Sequence, residues 1–175
     1  MTEPDSYDLL IYAKNGHRPQ LLEHLAEVFP RHIQIHYGSY RREELFEAAR
    51  RSRACAYLAD DDHGPLALQE ILLAGCPTVG VRTGASFFRH GETGIIADRL
   101  PPGAACIECE QDVDALAVFI DSVQHAQTMD RRLVRQFAAD QFNTTRITDQ
   151  VIAGIRTASK REISAFGTEF TPVSK

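Results

Sequence analysis

The chain has 175 residues, 43% of them hydrophobic and 25% charged, which suits one globular domain with a real core and is too short for a second full one. Its formal net charge of -5 argues against nucleic acid as a partner, because holding a phosphate backbone needs a basic face. No apolar run approaches the roughly 20 residues of a membrane span, and the polar, acidic start MTEPDSYD is not a secretory signal.

Tyr7 to Ala13 (YDLLIYA) is a short apolar run without strict alternation, the pattern of a strand buried on both faces. KNGHR at 14–18 reads as a turn, and Pro19 suits a first helical position. Leu21, Leu22, Leu25, Ala26 and Phe29 then share one helical face, and Pro30 stops that helix. HIQIHY at 32–37 predicts a second strand, nearer an edge because Ile33 and Ile35 alternate with polar residues. A helix is predicted over 41–52 with Leu45, Phe46 and Ala49 inward, followed by an apolar third strand over 53–59. An acidic turn leads into a helix from Pro65 to Ala74 that Gly75 stops, and PTVGV at 77–81 is the fourth strand.

Strand and helix alternating at this spacing predict right-handed crossovers. The expected fold is α/β: a single doubly wound, mainly parallel sheet with helices on both faces. Ligands of such sheets sit outside the carboxyl ends of the strands. The loops at 14–18, 38–41 and 60–64 therefore matter most. Further on, Ser86 to His90 suggests a turn of helix, HGETG at 90–94 a tight turn, 94–97 a fifth strand and 104–109 a last strand. Helices are predicted over 112–127 (Leu116, Ile120 and Val123 inward), 131–141 and 145–158, with Asn143 or Thr144 capping the last. The domain is expected to span residues 1–158, and the polar stretch 159–175 to be a poorly ordered tail.

Of the four cysteines, Cys55 and Cys76 read as small core residues. Cys106 and Cys109 form a lone C-x-x-C, without a second such pair to complete a zinc site; a reduced, cytoplasmic chain is the expectation.

The central stretch is DDDHGPLALQEILLAGCP at 60–77. Gly64 and Pro65 open a helix whose first amides have no intrahelical partner, so they and the helix dipole favour an anion such as phosphate. Glu70 lies about a turn and a half into that helix, within reach of a diol, and Asp62 lies in the loop before it. Two carboxylates bracketing a helix start suit a molecule with two hydroxylated rings joined by phosphates. The bland alternatives are a solvated Asp turn that caps the helix, and a Glu70 that is merely a surface residue. Leu66, Leu68, Ile71 and Leu72 make that helix nearly apolar all round, where a lone carboxylate is more often placed for a reason.

This stretch resembles the signature of retaining GT-B glycosyltransferases of the group 1 (family 4) class: Glu, seven residues, Glu, set in E-G-x-P-L-x-x-x-E-A-x-x-x-G-x-P-V. Asp62 falls at the first Glu and Glu70 at the second, while Pro65, Leu66, Gly75 and Pro77 match as they stand. HGETGIIA at 90–97 resembles the H-G-x-T-G-x-L-V segment, and FNTTRITDQVIAGI at 142–155 the closing helix. The likeness runs over roughly Tyr7 to Ile155.

The resemblance implies a Rossmann-like, C-terminal donor-binding half of a GT-B fold. Glu70 would hold the ribose hydroxyls of a nucleotide-diphosphate sugar and Asp62 would contact the donor sugar as the catalytic position. The loop amides from Gly64 through Pro65 and Leu66 to Ala67 would meet the diphosphate, with Lys14 and Arg18 neutralising it. Their alternative is ordinary surface charge. Tyr40 would wall the base, and His63 stands beside Asp62. The family is metal-independent and no other cofactor is expected; the seven histidines show no clear metal cluster. The chain departs from the pattern in three places. The first Glu is Asp, no Glu follows Gly84 where the family has G-G-x-x-E, and the basic pair is closer together and reversed in order. The family's N-terminal acceptor-binding domain is not expected in this chain, so it would hold half a site and act with a separate acceptor-binding domain or subunit. With no transmembrane segment, peripheral membrane contact stays open. The expected function is a glycosyltransferase donor-binding domain. The alternatives are a stand-alone, non-catalytic nucleotide or nucleotide-sugar binding module, and a receiver-type signalling domain. The last is disfavoured because the first strand ends AKNG instead of in an acidic pair.

Overall fold

The computed structural model describes residues 6–14, 19–60, 62, 66–82, 89–101 and 110–143, together with 145, 148 and 152. The elements are β1 (Tyr7–Ala13), α1 (Pro19–Val28), β2 (His32–His36), α2 (Arg42–Arg50), β3 (Ser52–Leu58), α3 (Leu66–Leu73), β4 (Thr78–Val81), β5 (Gly94–Ala97), α4 (Glu110–Ala126) and α5 (Arg131–Gln141). Contacts divide the chain into two compact units, Met1–Asp140 and Gln141–Lys175. In the second, residues 145, 148 and 152 are helical.

The strands lie in the order β2-β1-β3-β4-β5 and every pairing is parallel. The chain steps from β1 to one side for β2 and crosses to the other for β3, which makes the sheet doubly wound with its switch point between β1 and β3. Alternate residues of each strand serve the two faces. Leu9 and Ile11 of β1, with Ala54, Ala56 and Leu58 of β3, pack on Leu21, Leu25 and Phe29 and on Phe119, Val123 and Ala126 of α4. Leu10 and Tyr12, with Cys55 and Tyr57, belong to the opposite face, and all four are buried. Their neighbours in sequence already fill the first face, so these point toward the side that α2 and α3 cover.

β1, β5 and α5 stand as predicted, and the other bounds shift by a residue or two. One inward residue of α2 is corrected. Leu45, Ala48 and Ala49 are buried, whereas Phe46 is 37% exposed. Positions 45, 48 and 49 follow the i, i+3, i+4 spacing of one face, and Phe46 is rotated off it. In α4, Phe119, Val123 and Ala126 form the buried stripe, with Leu116 and Ile120 only partly buried beside it. The predicted turn of helix at 86–90 lies mostly outside the described residues, as do the strand at 104–109, the pair Cys106 and Cys109, Thr144, and all of the tail at 159–175.

α3 ends as its glycine predicts. Gly75 takes φ +77, and the amides of Gly75 and Cys76 return to the carbonyls of Leu72 and Ile71 at 2.9 and 3.2 Å. The Arg131 guanidinium then donates to the carbonyl of Gly75 at 3.0 Å and to those of Ala49 and Arg50 at 3.1 and 2.7 Å. One side chain of α5 thus satisfies the carboxyl ends of both α2 and α3, where carbonyls lack intrahelical partners. At β5, a Cβ on Gly94 would sit 1.8 Å from the Thr78 carbonyl oxygen, so only glycine lets this strand close on β4.

Candidate functional site

A cavity of about 450 Å³ opens at the carboxyl ends of β1 and β3, at the switch point. Its lining unites residues far apart in the chain. Tyr12 and Lys14 come from the end of β1, and Tyr37, Gly38 and Tyr40 from the connection after β2. Arg42 opens α2, Tyr57 and Asp62 come from β3 and the turn beyond it, and Leu66, Ala67 and Glu70 belong to α3. Of the residues singled out in the sequence, Lys14, Tyr40, Asp62, Leu66, Ala67 and Glu70 meet here. Arg18, His63, Gly64 and Pro65 lie outside the described residues.

Strand register explains the floor of the cavity. Tyr12 and Tyr57 are partners across β1 and β3 and point to the same face, so their rings stack with centroids 5.1 Å apart and 11° between planes. Tyr40 meets Tyr12 edge-on at 5.8 Å, and their hydroxyls are 3.1 Å apart. Burial, then the bond to Tyr40, push the Tyr12 phenol far above its ordinary range. Burial, then the bond to Asp62, do the same to Tyr57. Both rings are therefore neutral hydroxyls near neutral pH, able to donate.

Asp62 is 1% exposed, the most enclosed carboxylate of the site. Its Oδ2 accepts a short hydrogen bond from the Tyr57 hydroxyl, and its Oδ1 accepts from Lys14 Nζ at 2.5 Å. A buried carboxylate requires such partners, because an unpaired charge is costly to remove from water. Lys14 also stands over the Tyr37 ring, 5.2 Å from its centroid, in cation–π range. Glu70 differs: its side chain keeps 15% exposure at the cavity wall, and its Oε1 lies 2.5 Å from Arg42 Nε. Arg42 is itself 78% exposed. The site thus holds two carboxylates, each beside a cation.

Sequence reasoning missed Arg42, Tyr12, Tyr57 and Tyr37. Arg42 is one of several charges in RREE, with nothing local to mark it. The two strand tyrosines carried a signal, since each stands one residue before the end of its strand. Among the described residues, no group of three or more His, Cys, Asp or Glu is placed to hold a metal, and no helix is long and apolar enough to cross a membrane.

No family profile and no curated protein sequence matches the chain. Solved structures do. The pneumococcal O-GlcNAc transferase GtfA, in complex with UDP and GlcNAc, aligns with a TM-score of 0.54 at 13% identity over 89% of this chain. A GtfA/B complex aligns at 0.56 and 14% identity, again over 89%. The chain spans 37% of the length of each. Its fold is that of a Rossmann-like half-domain of GT-B glycosyltransferases.

Proposed function

We propose that this chain is the nucleotide-diphosphate-sugar-binding half of a retaining GT-B glycosyltransferase of the group 1 type, completed by an acceptor-binding domain or subunit. The observation that carries the reading is the convergence of Glu70 and Lys14 on one cavity at the switch point. Glu70, the more accessible of the two carboxylates, is the acceptor for a ribose diol. Lys14, just past β1, supplies a cation for the diphosphate, with Leu66 and Ala67 at the start of α3 beside it. Tyr37 and Leu66, 60% and 70% exposed at the rim, support a surface that a further domain covers. The GtfA structure with UDP makes a uridine nucleotide the first ligand to test. The buried thiols of Cys55 and Cys76, neither in a disulfide, are compatible with a reducing, cytoplasmic setting.

One observation favours a second reading, binding without catalysis. Asp62 occupies the position that the resemblance gives to the donor-sugar contact, yet its side chain has no exposed surface and is held by Tyr57 and Lys14. Calorimetry with UDP and UDP-GlcNAc tests the shared core of both readings. Glu70→Ala is expected to weaken UDP by about 1.5–3 kcal/mol, the loss of hydrogen bonds to a charged acceptor. Unchanged affinity in a folded variant rules out the ribose assignment. Transfer of sugar to water or an added acceptor, lost in Asp62→Asn, would favour the catalytic reading.

A further inference from the structure

Asp62 and Lys14 form a closed charge arrangement inside the proposed ligand cavity. The Asp62 side chain is 0% exposed and that of Lys14 is 21% exposed. A ligand entering the cavity therefore meets the ammonium while the carboxylate stays behind it. Tyr57, fixed by its stacking on Tyr12, anchors the carboxylate from the other side through its hydroxyl. An ammonium has three donors and Asp62 Oδ1 takes one, so Lys14 can bridge the carboxylate and an incoming anion. Asp62 then has two opposing effects on that anion. It holds the lysine in place, and its own negative charge repels the ligand across a short, poorly solvated distance.

We infer that Asp62 is a positioning residue acting through Lys14, a buried counter-ion that limits how tightly the site holds a diphosphate, and that it does not touch the ligand. This rests on the proposed nucleotide-diphosphate reading of the same cavity. An asparagine separates the two effects. Its side-chain oxygen still accepts from Lys14 and its amide still meets the Tyr57 oxygen, so both bonds keep a partner while the repelling charge goes. The enclosed carboxylate thereby exchanges affinity for easy release of an anion.

The test compares pyrophosphate, UDP and uridine as ligands of the full chain, by calorimetry at low salt. Asp62→Asn is expected to bind pyrophosphate and UDP about ten-fold more tightly, the size of one removed charge at short range. Uridine, which lacks phosphate, is expected to change by less than about two-fold, a split between charged and neutral ligands that a general loosening of the fold does not produce. Lys14→Gln is expected to weaken pyrophosphate by about ten-fold or more. Pyrophosphate affinity that is unchanged or lower in Asp62→Asn overturns the inference, as does a clear loss of uridine binding, which would mark a direct ligand contact. Should Asp62→Asn fail to fold, Asp62→Ser makes the same comparison with a smaller neutral acceptor. Wild-type chain that binds none of the three ligands overturns the nucleotide reading itself, a result distinct from failure of the Asp62 variants alone.

Discussion

Arg42, in the first turn of α2, places its Nε 2.5 Å from Oε1 of Glu70 in α3, so the carboxylate proposed for the ribose already has a partner in the free protein. The arginine is 78% exposed, and such a pair contributes roughly 0.2–1 kcal/mol because solvent screens it. A diol approaching Glu70 must share or displace that guanidinium. Arg42→Gln is therefore expected to leave thermal stability within about 1 kcal/mol of wild type. It should also strengthen binding of neutral uridine by up to about 1 kcal/mol. Weaker uridine binding would show that Arg42 is itself a ligand contact, and competition would no longer describe its role.

Arg131 is a different kind of ion. It donates to the carbonyls of Gly75, Ala49 and Arg50, joining the ends of α2 and α3. Removing it strands helix-end carbonyls that are half withdrawn from water. Arg131→Ala is expected to cost about 2 kcal/mol, which for a chain of this size lowers the melting temperature by about 4–8 °C. Calorimetric melting checks this, and Arg131→Lys should recover only part of the loss because a single ammonium cannot fork to two helices. A melting point unchanged in Arg131→Ala would show that water replaces the guanidinium at no cost.

The stacked tyrosines predict an alkaline weakness. Burial holds the phenols of Tyr12 and Tyr57 protonated above their ordinary pKa of 10.0. Their folded-state pKa values are raised, so the stability they confer is fully present below about pH 10 and falls as the unfolded chain begins to ionise above it. The Cys55 thiol, raised by its burial, acts in the same direction from about pH 9. Urea unfolding from pH 8 to 11 should show a falling midpoint beyond about pH 9, with the share of phenolate absorbance that Tyr57→Phe removes appearing only on unfolding. Tyr57→Phe should flatten part of that fall. At neutral pH the same variant should cost about 1–3 kcal/mol, since the buried Asp62 loses a donor. Folded-state phenolate signal that Tyr57→Phe removes would contradict the enclosure of that ring.

Much of the architecture was legible from local pattern. The apolar run of β1, the alternation in β2, Gly75 after α3 and the GIIA strand each occupy the place their chemistry predicts, because strand and helix periodicity and glycine stops are short-range properties. The edge position of β2 also followed from Ile33 and Ile35 alternating with polar residues. Phe46 was misplaced, because helix-wheel reasoning cannot tell a three-residue contact stripe from a wider one until the neighbouring element is set.

The sequence by itself determined that a doubly wound parallel sheet would form, and that Asp62, Glu70 and Lys14 would stand near the carboxyl ends of its strands. Only the tertiary structure decided how they differ. The register of β1 against β3 stacks Tyr12 on Tyr57, which brings the Tyr57 hydroxyl and Lys14 onto a single buried carboxylate. The packing of α2 beside α3 delivers Arg42 to Glu70 at the open wall of the same cavity. Spacing along the chain cannot separate an enclosed acid from an accessible one. Burial and partner charge belong to neighbours that are distant in sequence, and those neighbours enclose one carboxylate and leave the other at an open wall.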